Sequence, residues 1–225
     1  MSFKRNHALL IYPQGQGLTK KLIGIGFRLS GESEKNPNIE DTLIAAAIEG
    51  MAGDFRVLGI LTDWFYLHYE RVNVDRLIRA LKNENNQRVN AYFAAIGNIF
   101  NKDIRYKKLK KIYRGEALNL SLGPGSSFLI KRNGEDERFV GSKLLVANGT
   151  LRVRLDDILS PQDLAKIHSD YYYRLLIGPS YRADMVSLFK QNPRLTASEL
   201  AKQTYGSFAT AWGVMKDMSL IQGQW

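Results

Sequence analysis

Seven of the thirteen residues from Lys102 to Arg114 are lysine or arginine, and only Asp103 is acidic. Cations packed this closely can neutralise a row of phosphates and release the counterions around a polyanion. On a helix, Ile104, Leu109, Ile112 and Tyr113 fall near one face, and Lys107, Lys110, Lys111 and Arg114 fall largely on the other. Arg105 and Lys108 add to the same cluster. A basic amphipathic helix suits a nucleic-acid backbone; an anionic membrane surface or simple solvation accounts for the same pattern. This stretch carries +6 of the formal net charge of +10, whereas residues 1–37 carry +4 and residues 180–225 only +2.

Other chemistry finds little support. His7, His68 and His168 are far apart, none has a partner at i+3 or i+4, and no His-Glu-x-x-His motif occurs, so no metal and no cofactor is expected. His68 lies in an apolar run and reads as a core histidine. Ser126-Ser127 follows Gly123-Pro124-Gly125 but lacks the Gly-x-Ser-x-Gly elbow of a nucleophile. Asp156 and Asp157 are adjacent, so their side chains diverge, which does not suit an acid/base couple. The segment Gly15 to Gly31 is glycine-rich without the spacing of a phosphate loop and reads as a turn or loop. With no catalytic constellation and no cysteine, the expectation is a non-enzymatic protein. The cysteine count is compatible with a reducing cytoplasm. The apolar stretch Ala8 to Tyr12 is too short for a signal peptide, and no 18-residue apolar segment occurs. A cytoplasmic protein without a membrane span is expected.

The elements that must position these residues are mostly helical. Asn38, Asp54 and Asn73 each stand where a side chain can cap a following helix, and a fourth helix is spaced by Val89, Phe93, Ile96 and Phe100. Between residues 115 and 158 the pattern changes. Asn133-Gly134 and Asn148-Gly149 each separate short β-prone runs, the signature of a two-residue hairpin turn. Strands are expected over Ser127–Arg132, Arg138–Val140, Lys143–Ala147 and Thr150–Leu155. In the last, Leu151, Val153 and Leu155 would point inward and Arg152 and Arg154 outward. Ser160-Pro161 starts another helix, expected to carry Leu164, Ile167, Tyr171, Leu175 and Leu176.

The last 45 residues predict three short helices. The first spans Ser180 to Asn192; Thr196 and Glu199 form a capping box for the second; Ser207 caps the third, and Gly206 lies in the turn between. This segment resembles the winged-helix family of helix-turn-helix DNA-binding domains. The resemblance implies that Leu195–Thr204 forms the second helix, that Ser207–Met218 is the recognition helix, and that Ser219–Ile221 leads into a wing. Carried over position by position, the resemblance implies that Ser207, Phe208, Ala209, Trp212, Gly213 and Lys216 lie on the outward face of the recognition helix, and Lys202, Gln203, Ser207, Phe208, Thr210, Trp212 and Lys216 are the candidate nucleic-acid contacts of this module. Base edges are usually read by Arg, Lys, Asn and Gln, and the expected outer face offers only Lys216, beside the apolar Phe208 and Trp212. The chain ends at Gln224-Trp225, before a two-stranded wing could be completed.

The expected fold class is mainly α with a small antiparallel β-sheet (α+β). Its parts are a basic Gly-rich segment (1–37), a helical domain (38–114), antiparallel hairpins (115–158), and a helix with the helix-turn-helix module (159–225). The expected function is binding of double-stranded DNA, as a bacterial-type transcriptional regulator or accessory factor, with a homodimer extending the few base pairs one module reads. Two other functions stay open. One is an antitoxin-like protein-interaction module that uses the helix-turn-helix as a contact surface. The other is RNA binding through the basic helix and the sheet, with Phe128 and Phe139 as stacking candidates.

Overall fold

A computed structural model of the chain describes residues 11–123 and 125–221. His7, the start of the Ala8–Tyr12 run and Gln224-Trp225 lie outside the described residues. Among the described residues twelve α-helices follow one another: α1 (Gly15–Gly24), α2 (Ile39–Met51), α3 (Phe55–His68), α4 (Val74–Leu81), α5 (Gln87–Ile99), α6 (Ile104–Leu109), α7 (Ser126–Asn133), α8 (Pro161–Ile167), α9 (Ser169–Ile177), α10 (Tyr181–Gln191), α11 (Ala197–Gln203) and α12 (Phe208–Ile221). The caps explain most of the starts. Side chains of Asn38, Asp54, Asn73 and Asn86 accept first-turn amides of α2 to α5, and Ser160 does the same for α8. The Gly15–Gly31 segment is not simply a loop: its first ten residues form α1, because Leu18 and Leu22, one turn apart, bury against the core.

The antiparallel hairpins are not present. The described residues contain one two-stranded sheet, and it is parallel: β1 (Leu118–Asn119) beside β2 (Leu144–Leu145). A type I′ turn needs two consecutive positive φ angles. Gly134 (φ 76°) and Gly149 (φ 81°) adopt them, but Asn133 and Asn148 do not. Asn133 instead ends α7, and Gly134 follows it as a helix-terminating glycine. The expected strand Ser127–Arg132 is therefore helical. None of the expected strand pairs forms; the one antiparallel bridge in this stretch joins Glu135, outside every expected strand, to Ala147. The run Thr150–Leu155 fails for a different reason: its backbone groups find side-chain partners. Asp63 of α3 accepts the Arg154 amide, and the Arg138 guanidinium donates to the Leu151 carbonyl. Gly59 allows this crossing, since a Cβ there would stand 3.0 Å from the Arg152 carbonyl oxygen. Alternation is lost, with Leu151 buried but Val153 and Leu155 exposed. Phe139 is buried and Phe128 lies on α7, so no open sheet face presents them to RNA bases.

The single helix expected after Ser160 is two. His168 breaks it and caps α9, its Nδ1 accepting the Tyr171 amide at 3.3 Å. Its Nε2–H donates to the Pro37 carbonyl at 3.0 Å. His68 is held similarly: Nε2–H donates to the Leu159 carbonyl (3.2 Å) and Nδ1 accepts from the Tyr171 hydroxyl (2.7 Å). Burial pushes both imidazoles down to about 4, so both are neutral at pH 7.

Two main apolar cores result among the described residues, beside a minor cluster of Ala91, Ala94 and Tyr113. The larger runs from Leu18 to Tyr171; the smaller joins α10, α11 and α12 through residues such as Met185, Leu200, Ala211 and Val214. A buried ionic network ties the smaller to the larger. The Arg174 guanidinium, fully buried on α9, donates from Nε and Nη2 to Asp184 of α10 (2.7 and 2.9 Å) and from Nη1 and Nη2 to Glu40 of α2 (2.6 and 3.0 Å). Arg76 of α4 lies 2.8 Å from Asp41 and stacks over Tyr205, whose hydroxyl donates to Asp41. Burial would raise Glu40, but Arg174, Arg76 and the Asn73 amide outweigh it and hold that carboxyl below its ordinary value. For Asp41 and Asp184 burial prevails and the shift is upward despite their arginine partners.

Candidate nucleic-acid interface

The C-terminal unit starts from its caps. Ser180 caps α10, Thr196 and Glu199 form the capping box of α11, and the Ser207 hydroxyl accepts the Thr210 amide at 2.9 Å to start α12. The turn between α11 and α12 holds Tyr205 in the left-handed region (φ 59°), then Gly206, where any Cβ would run into the Met185 side chain. That close approach packs α12 on α10. Ala211, Val214 and Met218 face the core. Phe208, Trp212 and Lys216, each four residues apart, face solvent along α12, with Phe208 59% and Trp212 57% exposed.

Several sequence-predicted contacts have other partners here. Ser207 and Thr210 hydroxyls bond to each other at 2.6 Å at the helix start. Asp217, an acid next to Lys216 on α12, is paired with Arg182 at 2.6 Å. Lys202 and Gln203 are exposed at the end of α11. Helix α12 runs through Ser219 to Ile221, so the expected lead into a wing is helical.

The basic segment is helical as far as Leu109 and continues as a tight 3₁₀ turn over Lys110–Ile112. Tyr106 and Leu109 anchor it in the core, whereas Ile104, expected on the inner face, is exposed. It docks on α5 at Gly97, where a Cβ would collide with the Lys110 backbone. Arg105 is bound to Asp103, which accepts from its Nε and Nη2, and this contact raises the guanidinium above its ordinary range. Lys108 stands 3.5 Å from Asp75. Lys107, Lys110, Lys111 and Arg114 are exposed and make no ion pair among the described residues.

The structure gathers part of this segment around an open cleft of about 870 Å³ between α4 and the basic segment. Lys108, Lys111 and Arg114 line one side, and Arg79 of α4 and Lys82, the residue that ends it, line the other. Sequence reasoning missed Arg79 and Lys82. Their signal is the three-residue spacing of Arg79 and Lys82, which places the two cations near one side of a helical turn. Arg79 also donates to the Tyr181 hydroxyl at 3.3 Å, at the first residue of α10, so one side chain borders both the cleft and the C-terminal unit. No group of three or more histidine, aspartate or glutamate side chains among the described residues could hold a metal ion. No described helix is long and apolar enough to cross a membrane. The chain matches no protein-family model, no curated protein and no solved structure.

Proposed function

We propose that this protein binds double-stranded DNA as a cytoplasmic regulator or accessory factor of transcription, without catalysing a reaction. The observation that carries this reading is the exposed α12 face of a packed three-helix unit, joined through Arg79 to a cleft lined by five cations. α12 has 14 residues, about 21 Å of helix, long enough to cross a major groove. Trp212 and Phe208 supply apolar contact for thymine methyls, and Lys216 a base or phosphate contact. Lys107, Lys110, Lys111 and Arg114 neutralise backbone phosphates. A second copy would double the base pairs read. The test is anisotropy of a labelled mixed-sequence duplex with the wild type and with Lys107→Glu/Lys110→Glu/Lys111→Glu. Affinity at low salt that falls in the variant supports the proposal; equal affinity refutes the assigned backbone contacts.

Protein contact through the same helix is a second reading. The apolar surface of Phe208 and Trp212, extended by the exposed Leu220 and Ile221, favours it.

A further inference from the structure

The cleft between α4 and the basic segment combines three kinds of lining. Its cations, Arg79, Lys82, Lys108, Lys111 and Arg114, outnumber its two acids, Asp75 and Glu84. Both acids already have local partners: Asp75 faces Lys108, and the Glu84 carboxylate accepts the Asn86 amide at 3.2 Å. Apolar side chains, Ile78, Leu81 and Ile112, supply a second kind of surface. Amide side chains of Asn85, Gln87 and Asn90 supply the third.

A bare phosphate or sulfate would use the cations and leave the apolar and amide surfaces idle. A ligand with phosphates on one end and a flat heteroaromatic ring on the other uses all three. Lys and Arg take the phosphates, Asn and Gln pair with a base edge, and the aliphatic side chains cover a ring face. The cleft's volume also falls in the range of sites that hold ligands of this size. We propose that this cleft is a nucleoside-phosphate site, filled either by a free nucleotide or by one nucleotide of a nucleic-acid strand. The site is distinct from the α12 face. Arg79, bonded to Tyr181, places it at the border of the C-terminal unit.

The experiment is isothermal titration calorimetry of the full chain with three probes: ATP, a 5′-phosphorylated tri-deoxyadenylate, and inorganic tripolyphosphate. The same titrations are run on Lys82→Glu/Arg114→Glu and, separately, on Trp212→Ala. Both cleft positions are exposed and make no ion pair among the described residues, and a melting curve of the double variant verifies its fold. The expected result is binding of ATP or of the trinucleotide, weakened about tenfold or more by the double variant and unchanged in Trp212→Ala. Tighter binding of ATP identifies a free nucleotide as the ligand, and tighter binding of the trinucleotide identifies a strand. Tripolyphosphate binding as tightly as ATP and the trinucleotide overturns the proposal, as does an affinity that the double variant leaves unchanged. Duplex binding that fails while these titrations succeed would refute the proposed function and leave this inference standing.

Discussion

Replacing Arg174 with alanine removes one of the links between the two cores and leaves those through Tyr205 and Tyr181 in place. The guanidinium is fully buried, and its loss deletes two hydrogen bonds to Asp184, two to Glu40 and one to the Arg71 carbonyl. Glu40 keeps Arg76 at 3.4 Å and the Asn73 amide; Asp184 loses both of its bonds to the guanidinium. Breaking a buried ion pair from one side costs about 3–5 kcal/mol, because a carboxylate is left in low dielectric. For a chain of this size that is a fall in Tm of about 10 °C. The pH dependence supplies a second signature. In the wild type Glu40 sits below its ordinary value, so its contribution to stability is present at neutral pH and lost as pH falls through that lowered value. Without Arg174, burial raises Glu40, and protonation relieves the cost as pH falls from 7 towards 5. The stability gap between wild type and Arg174→Ala should therefore narrow over that range. Urea unfolding at pH 7 and pH 5 measures both quantities. A gap below about 1 kcal/mol at pH 7, or one that widens on acidification, would refute the assignment of Arg174 as the buried hub.

His68 and His168 are held near 4 against an ordinary 6.5, so each makes stability fall as pH drops from about 6.5 towards 4. Between pH 7 and pH 5 the loss is about 2 kcal/mol for each histidine; in His68→Gln the difference between urea-unfolding free energies at the two pH values should shrink by that amount. Gly97→Ala should destabilise by about 2 kcal/mol in urea unfolding, since the new methyl meets the Lys110 backbone and not a side chain that can move away. Thr196→Ala removes the hydroxyl half of the α11 capping box and should cost about 1 kcal/mol by thermal melting, with no change elsewhere in the larger core.

The legible part of the sequence was local. Asn38, Asp54, Asn73, Ser160 and Thr196 with Glu199 mark helix starts because capping needs only a side chain and an amide three residues apart. The unreadable part depended on partners far along the chain. Thr150–Leu155 looks like a strand, but Asp63 and Arg138 satisfy its backbone in place of a neighbouring strand. Asn133-Gly134 has hairpin composition, yet the same glycine serves equally to end a helix. At the candidate interface, the charge of Lys102–Arg114 was visible at once. Its neighbours across the cleft were not, because Arg79 and Lys82 lie in a segment of net negative charge. The buried Arg174 reads from sequence as one more surface cation; only its meeting with Glu40, 134 positions away, reveals its role.

Salt dependence of wild-type binding to a mixed-sequence duplex tests the DNA proposal most directly. If α12 and the basic segment meet the duplex together, affinity should fall steeply between about 50 and 200 mM salt, on the order of a hundredfold for some four neutralised phosphates. Trp212→Ala should weaken binding at every salt concentration without changing that slope. No duplex binding at 50 mM salt would contradict the proposal, and so would an affinity indifferent to salt.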